Sequence, residues 1–139
     1  MSDFIGPFLG KYYILVMIDY LTGWTMLTPA KSCGTEIVLS TIFDKWVPTF
    51  GWFKIFETDL GSAFKSNLTK HIMETTNIKQ QFSEPRNHQG TGKVERVIRL
   101  VQQIIAAYNI ESGGKLVKNL DRARIWKIIK PFGKQSIPL

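Results

Sequence analysis

The sequence predicts an α/β domain in which a mixed five-stranded sheet is covered by helices. Three observations support this fold class. The chain has 139 residues, of which 44% are apolar and 12% aromatic, enough to bury one core. Strand-like and helix-like segments alternate in the order three strands, helix, strand, helix, strand, loop and helix. The last helix carries a long apolar stripe, which indicates that it packs on a sheet.

Three short strands are predicted near the N-terminus and two more further on. DFIGPF (3–8), KYYILVMIDY (11–20) and WTMLTP (24–29) are separated by turns short enough for antiparallel hairpins. The nearly continuous apolar run in the second of them indicates a central strand that is buried on both faces. The fourth and fifth strands are FKIFET (53–58) and KQQF (79–82).

A first helix is predicted within residues 32–50. Ser32 and Thr35 are its candidate N-caps, and Pro48 and Gly51 are expected to end it. Its apolar residues recur at helical spacing, so we expect one side of this helix to face the sheet.

Further helices follow in the second half. The segment 66–77 predicts a short amphipathic helix, and a polar, glycine-rich loop follows the fifth strand. A long helix beginning near Lys93 is expected to pack on the sheet through an apolar stripe: Val94, Val97, Ile98, Val101, Ile104, Ile105 and Tyr108. The segment 123–132, ARIWKIIKPF, predicts another basic amphipathic helix.

Cysteine content and hydropathy limit the classes of protein to which this chain can belong. Cys33 is the only cysteine, so no internal disulfide can form, and no cluster of cysteines and histidines has the spacing of a zinc site. The longest apolar run, YYILVMI at 12–18, is shorter than the roughly 20 residues that a membrane helix needs. We therefore expect a protein of a reducing compartment that has no membrane partner.

Positive charge is concentrated in the second half of the chain. The net charge is +7; residues 1–78 carry six Lys/Arg and seven Asp/Glu, whereas residues 79–139 carry twelve and four. Such a basic half fits an anionic polymer, usually nucleic acid. A lysine-rich face that is merely solvated is the alternative.

Acidic residues are few, and three of them occupy positions from which they could converge. Asp3 lies on the first predicted strand, Asp59 ends the fourth, and Glu95 lies in the first turn of the long helix. Divalent Mg²⁺ or Mn²⁺ would offset the repulsion within such a cluster. Each acid also has a structural explanation: Asp3 as a terminal residue and Asp59 as a turn residue before Gly61. Glu95 could interact with the helix N-terminus or with Arg99.

Several motifs follow one another in a fixed order. Thirty-five residues separate Asp59 from Glu95, and these acids lie in TDLGSAF and GKVER; DFIGPF and YYILVMIDYLTGW precede them. Together these motifs resemble the retroviral and LTR-retrotransposon integrase catalytic core, the D,D-35-E family, over residues 3–108. The resemblance implies a ribonuclease H-like fold with three antiparallel strands followed by two parallel ones. It also implies that residues 1–139 form one catalytic-core domain, truncated at both ends, without the family's zinc-binding N-terminal and DNA-binding C-terminal domains.

The resemblance assigns roles to individual acids. Three side chains are implied to be both catalytic residues and ligands of two Mg²⁺ or Mn²⁺ ions: Asp3, Asp59 and Glu95. Asp19 matches an acid that the family does not use as a ligand, and we expect it to accept hydrogen bonds from turn amides. His71 and His88 are given no part in the chemistry.

The implied activity is DNA integration by a metal-dependent nucleotidyltransferase and endonuclease. Integrases of this family trim the 3′ ends of the element's DNA with water and then join the freed hydroxyls to target DNA. Further side chains are expected to bind the nucleic acid: Lys93, Arg96, Arg99 and Gln102 on the helix, and Arg86 and Gln89 in the preceding loop.

The sequence also leads to expectations about the binding partners of the chain and leaves alternative functions open. The expected partners are element ends, target DNA and further copies of the chain in a homodimer or higher oligomer, in the nucleus or in a virus-like particle. The main alternative is a catalytically inactive DNA-binding or interaction fragment derived from an integrase. A ribonuclease H that acts on hybrids is a third reading, which the GKVER motif disfavours.

Overall fold

A mixed β-sheet forms the centre of the protein, whose computed structural model describes residues 1–8, 10–83, 95, 96, 98–100, 102, 103, 106, 128 and 129. The strands are β1 (Ser2–Phe8), β2 (Tyr12–Ile18), β3 (Thr25–Ala30), β4 (Ile55–Thr58), β5 (Lys79–Phe82) and β6 (Ile128–Ile129). Their spatial order is β5-β4-β1-β2-β3-β6. β1, β2 and β3 are antiparallel, whereas β4 runs parallel to β1 and to β5. The five predicted strands and their directions are confirmed.

β2 is a central strand, as its apolar run predicted. It pairs with β1 on one side and with β3 on the other, and its residues from Ile14 to Ile18 are all buried. Two hydrogen bonds between Met1 and Ile18 backbone atoms continue the β1–β2 ladder at its end. Burial on both faces explains why polar residues do not interrupt this segment.

The first helical region spans the predicted segment with different ends. It consists of α1 (Thr35–Ser40), a π-helical segment (Thr41–Trp46) and α2 (Val47–Phe50). The N-cap is Gly34, so the expectation of Ser32 or Thr35 was wrong; the Thr35 hydroxyl instead lies 3.2 Å from the Ala63 carbonyl oxygen.

Proline does not end this helical region. Pro48 lies in α2, which continues directly from the π-helical segment, so the chain remains helical on both sides of the proline. Gly51 follows with a φ of 85°, a conformation that glycine adopts without strain, and it is the residue at which the helix ends.

Two further helices follow β4. α3 (Ser62–Lys65) is a single turn that the sequence did not predict, and α4 (Asn67–Thr75) falls within the predicted segment 66–77. The Ser66 hydroxyl caps α4 by accepting a hydrogen bond from the Thr69 N–H at 3.2 Å. α4 is therefore confirmed with a polar cap at its start.

The sheet has a hydrophobic cluster on each face. Leu15, Met17 and Met26 belong to the first cluster, which α1, α2, α3 and α4 cover. Ile5, Ile14, Val16 and Ile18 form the second cluster, against which Ile98 packs. Residues 95, 96, 98–100, 102, 103 and 106 are helical and are called the basic helix below. Ile98 packs on the sheet as predicted for its stripe; the other members of the stripe lie outside the described residues, and their packing stays a prediction.

One predicted element was wrong at the positions that the structure describes. Ile128 and Ile129 belong to the predicted helix 123–132 but form β6, antiparallel to Thr25 and Met26 of β3. β-Branched isoleucines favour strands, and the outer edge of β3 offers backbone N–H and C=O groups that pairing satisfies. Within the described part of the chain, no helix is long and apolar enough to cross a membrane.

Candidate functional site

Asp3 is held in the middle of the sheet by β1. It is paired with Val16 of β2, and paired residues of neighbouring strands point to the same face. Since Val16 belongs to the second hydrophobic cluster, Asp3 lies on that face too. The side chain is partly buried, so the carboxyl group has lost part of its hydration.

Asp59 reaches the same place from a distant part of the sequence. It directly follows β4, whose last residue, Thr58, is paired in parallel with Ser2. The residue that follows each of them in the chain is an aspartate, so the pairing of β1 with β4 places Asp3 and Asp59 side by side. Asp59 Oδ1 also accepts a hydrogen bond of 2.8 Å from the Gly61 N–H. The prediction that Asp59 stabilises the turn before Gly61 is thus confirmed, and Asp59 is at the same time a neighbour of Asp3.

The two aspartates form a tightly interacting pair. Burial, the charge of Asp59 and a hydrogen bond with the Asp59 side chain raise the pKa of Asp3 from 3.8 to about 6, while a hydrogen bond from the Phe4 backbone opposes the shift. Two neighbouring carboxyl groups can share a proton or bind a cation, because two bare negative charges repel each other.

Glu95 lies on the same side of the sheet as this pair. It is exposed on the basic helix, three residues before Ile98, which packs against the second hydrophobic cluster. Among the residues that the structure describes, no group of three or more His, Cys, Asp or Glu side chains could hold a metal ion. The structure therefore joins Asp3 and Asp59 without adding Glu95 as a third member.

The predicted DNA-binding residues are described only in part. Arg96, Arg99 and Gln102 are exposed on the basic helix, as the helical spacing predicted. The other predicted contacts, and one histidine, lie outside the described residues: Arg86, His88, Gln89 and Lys93. The side of the basic helix that faces away from Ile98 is thus polar and basic at its described residues.

Asp19 has the structural role that was expected of it. Its Oδ1 accepts a hydrogen bond of 3.3 Å from the Leu21 N–H, and its Oδ2 accepts one of 2.7 Å from the Thr22 hydroxyl. The carboxylate therefore holds the turn between β2 and β3. His71 is exposed on α4.

The sequence analysis gave no role at the site to two residues near the aspartate pair. Cys33 follows β3 and is exposed, yet desolvation and, second, the charge of Asp3 raise the pKa of its thiol. Nothing in the sequence links these two residues. Gly61 contacts Asp59 directly, and the spacing Asp-x-Gly was a usable signal for it.

Comparison with known proteins relates the chain to retroviral polyproteins. No protein-family model matches it. It is 32% identical to the Gag-Pol polyprotein of avian reticuloendotheliosis virus over 114 residues, which are 82% of this chain and 10% of that polyprotein. Its identity to the Gag-Pol polyprotein of gibbon ape leukemia virus is 30% over 76% of this chain and 6% of the polyprotein. The chain spans about a tenth or less of these relatives.

Solved structures match the fold over most of the chain. The HTLV-2 integrase catalytic core domain in complex with magnesium, in its trimeric form, aligns with a TM-score of 0.69 and 18% identity over 90% of this chain and 80% of that one. A simian T-cell lymphotropic virus intasome in complex with the PP2A regulatory subunit B56 gamma aligns with a TM-score of 0.69 and 17% identity, over 99% of this chain and 56% of that one. These matches show a ribonuclease H-like fold.

Proposed function

This chain belongs to the retroviral integrase catalytic-core family, and from this premise we propose that it carries the active centre of a metal-dependent polynucleotidyl transferase. The reaction is 3′-end processing of an element's DNA followed by strand transfer into target DNA. The observation that carries the proposal is the contact between Asp3 and Asp59, which pairs two hard oxygen ligands on one face of the sheet.

The two aspartates fit divalent cations. Their carboxylates supply oxygen ligands of the kind that Mg²⁺ and Mn²⁺ prefer. Burial and, second, the charge of Asp59 raise the pKa of Asp3, and a bound cation would offset both by favouring the charged carboxylate. The HTLV-2 integrase core, which has the same fold, was solved with magnesium. When bound, a pair of such ions would lower the pKa of the attacking water or hydroxyl and neutralise the leaving oxygen.

The third ligand of the proposed site is Glu95. Ile98 fixes the basic helix over the face that bears Asp3, so Glu95 needs to approach the pair from above that face. Asp3 on β1 and Asp59 directly after β4 would supply two of the carboxylate ligands, and Glu95 on the basic helix would supply the third.

The basic helix is proposed to hold DNA beside the site. Arg96, Arg99 and Gln102 are exposed on the helix that carries Glu95, and each can donate hydrogen bonds to phosphate oxygens. Lys93, together with Arg86 and Gln89 of the preceding loop, is proposed to extend this surface. These contacts orient the phosphodiester, and orientation is a large part of catalysis in phosphoryl transfer.

Partners and location follow from the same proposal. The partners are the ends of an element's DNA, target DNA and further copies of the chain. The HTLV-2 core is known in a trimeric and a dimeric form, and the simian virus neighbour is part of an intasome. The place of action is the nucleus or a virus-like particle.

Metal-dependent cleavage of DNA tests the proposal. A branched DNA that carries the product of strand transfer should be resolved by the chain in Mg²⁺ or Mn²⁺. Asp59→Asn should reduce the rate by more than about a hundredfold, since it removes a metal ligand. The matched control is Asp19→Asn, which keeps an acceptor for the turn and should cleave at the wild-type rate. Equal rates for wild type and Asp59→Asn would reject the site.

A second candidate function is a catalytically inactive DNA-binding or interaction fragment. The observation in its favour is that the described residues contain no group of three metal ligands. This alternative predicts DNA binding that weakens with salt, and no cleavage in Mg²⁺ or Mn²⁺ at any protein concentration. Comparing duplex DNA with an RNA–DNA hybrid in the same assay separates both functions from a ribonuclease H.

A further inference from the structure

Gly61 makes an unusually close approach to the Asp59 side chain. Its backbone N–H donates a hydrogen bond of 2.8 Å to Asp59 Oδ1. A Cβ atom added to Gly61 would lie 2.9 Å from that same oxygen and 3.4 Å from Phe64 Cδ2. Contacts below 3.0 Å are essentially never seen for real Cβ atoms. A side chain at this position and the observed carboxylate orientation therefore exclude each other.

The backbone itself does not require glycine at this position. Gly61 has a φ of −58° and a ψ of 146°, which any residue can adopt. Gly51, in contrast, has a φ of 85° and is suited to glycine for conformational reasons. The need for glycine at position 61 thus comes from the space that the Asp59 carboxylate occupies.

We propose that Gly61 is a positioning residue for Asp59: its N–H group holds Oδ1, and its missing side chain leaves the room that this oxygen needs. The other oxygen, Oδ2, is then the one that would serve as the ligand of a divalent cation. The inference deepens the proposed function and rests on it, because it gives Asp59 the role of a metal ligand.

The orientation of a carboxylate matters most for a cation with strict geometry. Mg²⁺ requires oxygen ligands in near-ideal octahedral positions, so a rotated carboxylate weakens its binding. Groups that orient a metal ligand without touching the metal change metal affinity by about 10–100-fold when they are altered. A loss of this size is the expected effect of displacing Asp59 through Gly61.

Gly61→Ala tests the proposal, with Gly34→Ala as the matched control. Both glycines precede a helix with extended backbone angles, and Gly34 has a φ of −96° and a ψ of 156°. A Cβ at Gly34 would meet only the Ser32 hydroxyl oxygen, at an ordinary 3.6 Å. Calorimetric titration of the full chain with Mg²⁺ should show affinity about 10–100-fold weaker for Gly61→Ala. Gly34→Ala should bind like the wild type, with an equal midpoint of urea unfolding in both variants.

Asp59→Asn distinguishes failure of this inference from failure of the proposed function. Wild-type affinity in Gly61→Ala, together with lost binding in Asp59→Asn, overturns the positioning role and leaves the metal site standing. Unchanged Mg²⁺ binding in Asp59→Asn overturns the proposed site and the inference with it.

A second measurement applies if Gly61→Ala unfolds at a lower urea concentration than Gly34→Ala. The amide proton of Gly61 is then followed by NMR in the wild type and in Asp59→Ala. A hydrogen bond to a carboxylate moves an amide proton downfield, so the resonance should move upfield when Asp59 is replaced. A resonance that stays in place overturns the proposal.

Discussion

Asp3 and Asp59 lie close enough for the charge of Asp59 to raise the pKa of Asp3, although one residue lies at the start of the chain and the other follows β4. Their contact depends on the parallel pairing of Ser2 with Thr58, one residue before each aspartate. Two carboxyl groups held in this way destabilise each other when both are charged. The pair therefore affects stability, reactivity and metal binding, and each effect can be measured.

The first prediction concerns the pH dependence of stability. Because the pKa of Asp3 is raised from 3.8 to about 6, the folded chain holds this proton more tightly than the unfolded chain does. Stability contributed by the protonated group is lost as the pH rises through this interval. Asp3→Asn should therefore have a higher urea midpoint than the wild type at pH 7.5, and the gain should vanish near pH 4.

Asp59→Asn provides the companion measurement for this prediction. It removes the neighbouring charge and leaves Asp3 buried, so it should give a smaller gain over the same pH interval. Equal pH profiles of unfolding for the wild type and both variants would contradict the predicted coupling.

The second prediction concerns the reactivity of Cys33. Its pKa is raised by desolvation and, second, by the charge of Asp3, and the thiolate is the reactive form. Asp3→Asn should accelerate alkylation of this cysteine by iodoacetamide at pH 8, by less than about tenfold because the Asp3 charge is only the second cause. Saturating Mg²⁺ should accelerate the wild type and leave Asp3→Asn unchanged. If neither Asp3→Asn nor Mg²⁺ changed the alkylation rate, the charge of Asp3 would have no effect on the pKa of Cys33.

The third prediction concerns stabilisation by metal. A cation that binds only the folded chain should add about 2.7 kcal/mol to the free energy of unfolding at roughly one hundred times its dissociation constant. Thermal unfolding at pH 7.5 with and without Mn²⁺ measures this gain. The gain should be absent in Asp59→Asn and retained in Asp19→Asn, whose side chain holds a turn. An equal gain in all three proteins would place the metal elsewhere.

The fourth prediction concerns DNA binding by the basic helix. Arg99→Gln should weaken binding to duplex DNA and reduce the slope of log affinity against log salt by about one, because one phosphate contact is lost. Lys70→Gln removes the same charge from α4, which packs on the opposite face through Met73. Anisotropy titrations at several salt concentrations compare the two variants. If Lys70→Gln reduced the steepness of the salt dependence more than Arg99→Gln did, the DNA would bind on the other face of the sheet.

The fifth prediction concerns the packing beneath the aspartate pair. Phe64 is 1% exposed. The centroid of its ring lies 5.7 Å from the ring centroid of Phe4 on β1 and 6.1 Å from that of Phe56 on β4. Phe64→Ala should cost about 3–5 kcal/mol of unfolding free energy, because it removes a buried ring between these strands. Phe82→Ala, at a side chain that is 40% exposed, should cost less than about 2 kcal/mol. Urea unfolding measures both.

Local patterns were sufficient for most of the fold. The apolar run of β2 predicted a strand buried on both faces, and Ile98 lies against the sheet as its helical spacing indicated. These predictions succeeded because buried residues recur along a strand or a helix with the period of that element, and this period can be recognised from residues that are close in the sequence. β6 was missed because the chemistry of Ile128 and Ile129 suits either a helix or a strand, and the open edge of β3 decided between them.

The identity of the candidate acids could be read from the sequence, since motif order and spacing singled out Asp3, Asp59 and Glu95. What only the tertiary structure decided is which of them meet. Parallel pairing of β1 and β4 brings two aspartates into contact, whereas Glu95 depends on how the basic helix sits on the sheet. The effect of the Asp3 charge on Cys33 was likewise decided by folding, because the proximity of distant segments depends on strand pairing and packing. The hydrogen bond from Gly61 to Asp59 is local, and the Asp-x-Gly spacing already indicated it.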